Sequence, residues 1–209
     1  AGVLALGLPT LLRRLPEPAD DRPARSYRTL AGWGPLLPAG VAVSVILAGS
    51  LAWRVEPSRS MVALAPLVPV LCLLAYVDWR VQRLPRLPIL AATGAVLVLV
   101  GAEWLWTRDT ETLLRAVVGL LVARSGFWLL WRILPHAMGF GDVRLAALVG
   151  LVLGWVGWSE LVVGLWVGLA IFGAWGIGRA IVRRSRSAMR EPLAYGPFMI
   201  LGLLVALLA

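Results

Sequence analysis

Lysine is absent from this sequence, and cysteine and histidine occur once each. The lone thiol, Cys72, lies inside an apolar block. It excludes a disulfide framework and any zinc-knuckle spacing, and reads as a small buried residue. His136 falls in a short loop and reads as a solvated side chain; no metal site is expected. Charge is scarce as well. Charged residues make up 15% of the 209 positions, where a soluble domain carries about a quarter. The sequence is instead 60% hydrophobic. One water-facing core of this size cannot hide so much apolar surface, which makes the bilayer the natural solvent.

The apolar residues fall in blocks, several of which reach the ~17–25 residues that cross a hydrocarbon core. The pattern predicts an all-α, polytopic membrane bundle of about eight segments: 1–12, 35–53, 61–77, 88–106, 112–134, 143–158, 161–181 and 194–209. The first is short or truncated, since the sequence starts inside an apolar stretch without an initiator Met. No signal-peptide cleavage pattern is visible. Residues 1–209 read as a single membrane-embedded domain. Its one longer polar stretch, the loop at 13–34, is too short to fold alone.

The net charge of +9 is carried entirely by arginine. These arginines sit in short loops between apolar blocks, so they report topology and not nucleic-acid binding. Fifteen of the 20 flank the loops that follow the odd-numbered segments. Those loops are therefore expected to be cytoplasmic, with anionic lipid as the partner of their arginines. Arg124 lies near the middle of the fifth segment, where the cost of a charge predicts that it faces the bundle interior. Tryptophans at segment ends, such as Trp53, Trp79, Trp106, Trp131 and Trp158, read as interface anchors. Gly164, Gly168 and Gly173 in the seventh segment read as close-packing positions.

Two acids stand apart from the rest. Asp78 ends the third segment and Asp142 opens the sixth, and loop parity alone puts both at the cytoplasmic border. Two carboxyls that meet across a bundle cannot both ionise easily, so one keeps a proton and the other acts as a base. This division suits peptide hydrolysis by water, with neither a metal nor a nucleophilic side chain. There are plainer readings. Asp142 could cap the sixth helix, and Asp78 could pair with Arg80 or Arg83 at the surface.

The residues around the second aspartate are Gly139-Phe140-Gly141-Asp142-Val143-Arg144-Leu145. They resemble the G-x-G-D-[VF]-K-L signature of the type IV prepilin peptidases, which are intramembrane aspartyl proteases. Three further stretches are similar to that family in order and placement. Arg14-Leu15-Pro16 follows the first segment, Arg83-Leu84-Pro85 follows Asp78, and Tyr195-Gly196-Pro197-Phe198 opens the last. Two details depart from the family: Arg86 stands where Asp or Asn is usual, and no Thr is evident near Pro88.

The resemblance implies a multi-pass protein of the inner (cytoplasmic) membrane that removes the short basic leader from type IV prepilins or pseudopilins. Asp78 and Asp142 would be catalytic. Gly139, Gly141, Leu84, Pro85, Tyr195, Gly196 and Pro197 would bind substrate or shape the site. No cofactor is implied. Bifunctional members carry a large loop after the first segment, often with Cys-x-x-Cys pairs, and also methylate the new N-terminus. Only a short polar stretch stands there in this sequence, so the expectation is a peptidase without N-methyltransferase activity. The rival reading is a small transporter or channel that uses the two aspartates as proton or cation sites. It would place its acids near the midplane, often with repeats, and no repeat is visible.

Overall fold

A computed structural model describes residues 64, 66–133, 138–182 and 194–208, together with Arg13. Among these residues the chain is all helical, with α1 (Leu67–Val81), α2 (Arg86–Thr107), α3 (Thr110–Ile133), α4 (Phe140–Val156), α5 (Trp158–Val182) and α6 (Gly196–Leu208). They correspond to the third through eighth apolar segments. The first two segments, His136 and all but one residue of the polar loop lie outside the described residues. Three helices, α2, α3 and α5, are long and apolar enough to cross a membrane.

Local chemistry sets the helix ends. The sequence suggests that α1 stops at Val77, but it runs through Asp78 to Val81. No residue in Asp78–Val81 breaks a helix; the first breaker is Pro85, which disfavours helical geometry at the residue before it. Gln82 closes α1 in the left-handed region (φ 58°), with its N–H on the Asp78 carbonyl at 2.8 Å. Pro85, in extended conformation, precedes α2, and Pro88 falls in its first turn, where amides have no intrahelical acceptor to lose. Asp109 begins α3. Its Oδ1 accepts the Glu111 and Thr112 amides at 3.1 and 3.2 Å, and its Oδ2 accepts the Thr112 hydroxyl at 2.6 Å. These bonds favour the charged carboxylate and lower its pKa.

The centre of the bundle is α4, buried from Asp142 to Trp155 except at the half-buried Arg144. Its closest neighbour is α3, and the contact is backbone to backbone. A methyl added at Gly119 would overlap the Gly150 carbonyl, and one added at Gly150 would overlap the Gly119 carbonyl. One turn further on, a methyl on Gly154 would lie 2.6 Å from the Arg115 carbonyl. Small residues let membrane helices gain dispersion contact over their full width. Arg115 reinforces the same seam by donating to the carbonyls of Gly154 (2.8 Å), Trp155 (3.1 Å) and Val156 (3.4 Å), which the end of α4 leaves unpaired. The Trp155 indole N–H donates to Glu103 of α2, so α2, α3 and α4 are tied together at that end.

A second close seam joins α5 and α6, where Gly164 and Gly168 face Gly202 and the Phe198–Met199 backbone. Gly173 takes no part, because a methyl there would have nothing within 4 Å. Arg124 also departs from expectation: it is exposed on α3. The buried stripe of α3 is Ala116, Gly119, Ala123 and Phe127, and Arg124, about 100° around the helix from Ala123, falls outside it.

The α3–α4 seam generates a paired prediction. Gly150→Ala should cost about 1–3 kcal/mol by overpacking, whereas Gly173→Ala should leave stability unchanged. Thermal melts of the two purified variants in the same detergent check this.

Candidate active site

Three chain segments meet around two carboxyls. Asp78 projects from the last turn of α1, Asp142 from the first turn of α4, and the start of α6 lies against the first of them. Asp78 and Asp142 are the only buried polar or charged side chains among the described residues, at 4% and 5% exposure. They lie within electrostatic reach of each other, since the charge of Asp78 acts on Asp142.

Each acid is held by one backbone amide from a glycine. The Gly196 N–H donates to Asp78 Oδ2 at 2.8 Å, across 118 residues of chain. The Gly139 N–H donates to Asp142 Oδ2 at 3.2 Å, and the Asp142 N–H returns a bond to the Gly139 carbonyl at 3.1 Å. Asp142 is therefore not the N-cap of α4. Gly139 holds that position, and Asp142 reaches back from the third helical residue. Its other oxygen, Oδ1, is buried and has no hydrogen-bond partner. The surface pairing considered for Asp78 does not fit its burial, which would strand a charge away from water.

The remaining site residues fall into two groups. Leu84, Pro85 and Gly141 lock the two acid-bearing segments together, for a Cβ on Gly141 would lie 2.8 Å from the Leu84 Cβ. Pro85 is buried and Leu84 half-buried in that turn. Tyr195, Gly196 and Pro197 form the entry to α6. A Cβ on Gly196 would sit 2.7 Å from Asp78 Oδ2, so only glycine allows that amide to approach. Pro197 occupies the first turn of α6, where its missing N–H costs nothing. Tyr195 is 2% exposed. Its ring packs on Phe127 of α3 (centroids 5.2 Å apart) and Phe172 of α5 (4.7 Å). Gly139 differs from the other glycines. It is exposed, and a Cβ there would meet nothing closer than 3.8 Å, so the backbone beside Asp142 has open space on that side.

The Type IV leader peptidase family matches residues 65–182, more than half of the chain and both aspartates. This chain belongs to that family. It is 29% identical over 175 residues to a prepilin leader peptidase/N-methyltransferase of Pseudomonas putida, an alignment covering 83% of this chain and 58% of the relative. It is 30% identical over 171 residues to a protein of the same name from Dickeya chrysanthemi (79% and 56%). A third, from Aeromonas hydrophila, is 27% identical over 171 residues (79% and 56%). The chain thus spans somewhat over half the length of these curated relatives. No solved structure matches it.

Sequence reasoning missed two features of this frame. The Gly150-x-x-x-Gly154 spacing was a visible signal for the α3–α4 seam. Nothing in the sequence marked Arg115 as the cap of α4.

The contrast between Gly196 and Gly139 is testable. Gly196→Ala should push the Asp78 carboxyl off its amide and destabilise the protein by about 1–3 kcal/mol. Gly139→Ala should leave the melting temperature unchanged. Equal melts for the two variants would contradict the crowding at Gly196.

Proposed function

We propose that this protein is an intramembrane aspartyl endopeptidase. It would remove the short basic leader of type IV prepilins or pseudopilins, with Asp78 and Asp142 as the catalytic pair. The observation that carries this reading is the meeting of two buried carboxyls from α1 and α4, each held by a single glycine amide. Membership of the leader peptidase family and the printed names of the relatives support the substrate class.

Two buried carboxyls within electrostatic reach of each other titrate as a unit and share one proton. We place the proton on Asp142. Asp78 receives the shorter amide bond, at 2.8 Å against 3.2 Å for Asp142, which favours its charged form. Asp78 then takes a proton from water as the water oxygen attacks the scissile carbonyl carbon, and Asp142 donates a hydrogen bond to the carbonyl oxygen. The roles reverse as the tetrahedral intermediate collapses and the amine leaves protonated. Leu84, Pro85, Gly141, Tyr195, Gly196 and Pro197 shape the cleft, and the open space beside Gly139 admits the substrate backbone.

The same proposal includes a single domain of about eight spans in the inner membrane, with the pair at the cytoplasmic face. The exposed Arg80, Arg83, Arg86 and Arg132, which cluster near the acid-bearing helix ends, support that orientation. They are suited to anionic headgroups. A basic leader kept in the cytoplasm would meet the pair, while the apolar helix behind it stays in lipid. Methyl transfer to the new N-terminus is not part of the proposed activity. The placement of both acids at helix ends favours a peptidase over a transporter, whose acids belong at mid-membrane.

The test is cleavage of a purified substrate made of a basic leader, a glycine and an apolar helix, with the protein in detergent or liposomes. Asp78→Asn and Asp142→Asn should each lower kcat by at least about 10²–10⁴-fold, the usual worth of an acid–base group, without changing the melting temperature. Near-normal cutting by either variant would rule out the pair. Activity should be bell-shaped in pH, lost when both acids are protonated and again when neither is.

A further inference from the structure

One polar group beside the acid pair has no role in the scheme above. Tyr195 is held rigidly. Its carbonyl accepts the amides of Phe198 and Met199 at 3.1 and 3.2 Å, which anchors it to the first turn of α6. Its ring is wedged between Phe127 and Phe172. The next residue, Gly196, binds Asp78. The hydroxyl is the polar end of a side chain otherwise packed on aromatic neighbours, and it forms no hydrogen bond among the described residues. Asp142 supplies a matching need, because its Oδ1 is buried and unpartnered. The charge of Asp142 acts on the Tyr195 phenol. A buried acceptor without a donor thus lies within electrostatic range of a phenol that can supply one, in a site where leaving that acceptor unpaired is costly.

We propose that the Tyr195 hydroxyl donates to Asp142 Oδ1, directly or through one bridging water, and so sets how the acid pair holds its proton. Tyr195 is then a positioning residue for the peptidase. The proposal rests on the reading of Asp78 and Asp142 as the catalytic pair. When Asp142 has given up its proton, the phenol stabilises the carboxylate it leaves. When Asp142 is protonated, the phenol fixes the orientation of the carboxyl, with the acidic hydrogen directed at substrate. The phenol keeps its own proton throughout.

Other charged and titratable groups lie near the pair among the described residues. Asp78, Tyr76 and Arg80 lie on α1; Arg86 opens α2, and its charge acts on Arg144 of α4. Arg144 itself lies over the Phe140 ring at 4.8 Å. Towards the Tyr195 ring, α3 and α5 present Phe127 and Phe172.

The test is Tyr195→Phe in the full chain, which keeps the ring packing and removes only the hydroxyl. Its melting temperature should stay close to that of the wild type. Cleavage of the leader–glycine–helix substrate should show kcat lowered roughly tenfold or more, with KM within about twofold, as expected for a lost acid–base aid. A donor to the ionised carboxylate eases loss of the last shared proton. Its removal should therefore move the alkaline limb of the kcat–pH profile upward by about one unit. Wild-type kcat with unmoved limbs in Tyr195→Phe would overturn the proposal and leave the acid pair standing. A lower kcat with unmoved limbs would overturn it too, since lost packing alone predicts that result. A wild-type protein that cuts no such substrate would end both readings.

Discussion

A carboxylate taken out of water must be given a donor or a proton, and this bundle has two of them at one place. Each receives a single backbone amide, and both amides belong to glycines at helix starts. That requirement brings together the end of α1, the beginning of α4 and the beginning of α6. Positions far apart along the chain, Asp78, Asp142 and Gly196, become neighbours as a result. Each acid is buried with one donor, and the proposed division between a charged and a protonated carboxyl follows from that shortage.

The rest of the bundle makes this arrangement affordable by fixing α4. The helix is buried nearly all round, and its glycines lie directly on the α3 backbone. Arg115 completes its far end by occupying three carbonyls that would otherwise be unsatisfied. The outer faces of α2, α3 and α5 carry the opposite pattern, with Val98, Trp106, Trp166 and Ile181 well exposed. Such surfaces suit lipid, where apolar exteriors carry no hydration cost.

Much of this frame was legible in the sequence. The apolar blocks placed all six described helices to within a few residues, because length and apolarity alone define a segment that lipid can hold. Loop parity expects both aspartates at one border, and the structure has them buried at the end of α1 and the start of α4. The G-x-G-D run and the Leu-Pro and Tyr-Gly-Pro turns pointed to a family whose match now covers residues 65–182. What failed depended on which way a helix faces. Periodicity is weak in uniformly apolar helices, so the outward turn of Arg124 and the idle position of Gly173 could not be read. The extra turn of α1 beyond Val77 is hidden because polarity suggests a helix end there, although the true breaker is Pro85. The unmet oxygen of Asp142 is a matter of ångströms, which no pattern of residue types encodes.

The glycine seam between α3 and α4 has a mechanical consequence. A helix gripped along its length and clamped at its tip behaves as a fixed jaw, so Asp142 is a stationary reference. Among the described residues, helix α1 packs chiefly on α6, and it ends in a left-handed residue just past Asp78. In the proposed peptidase, a change in the gap between the two carboxyls would then fall to the jaw that carries Asp78.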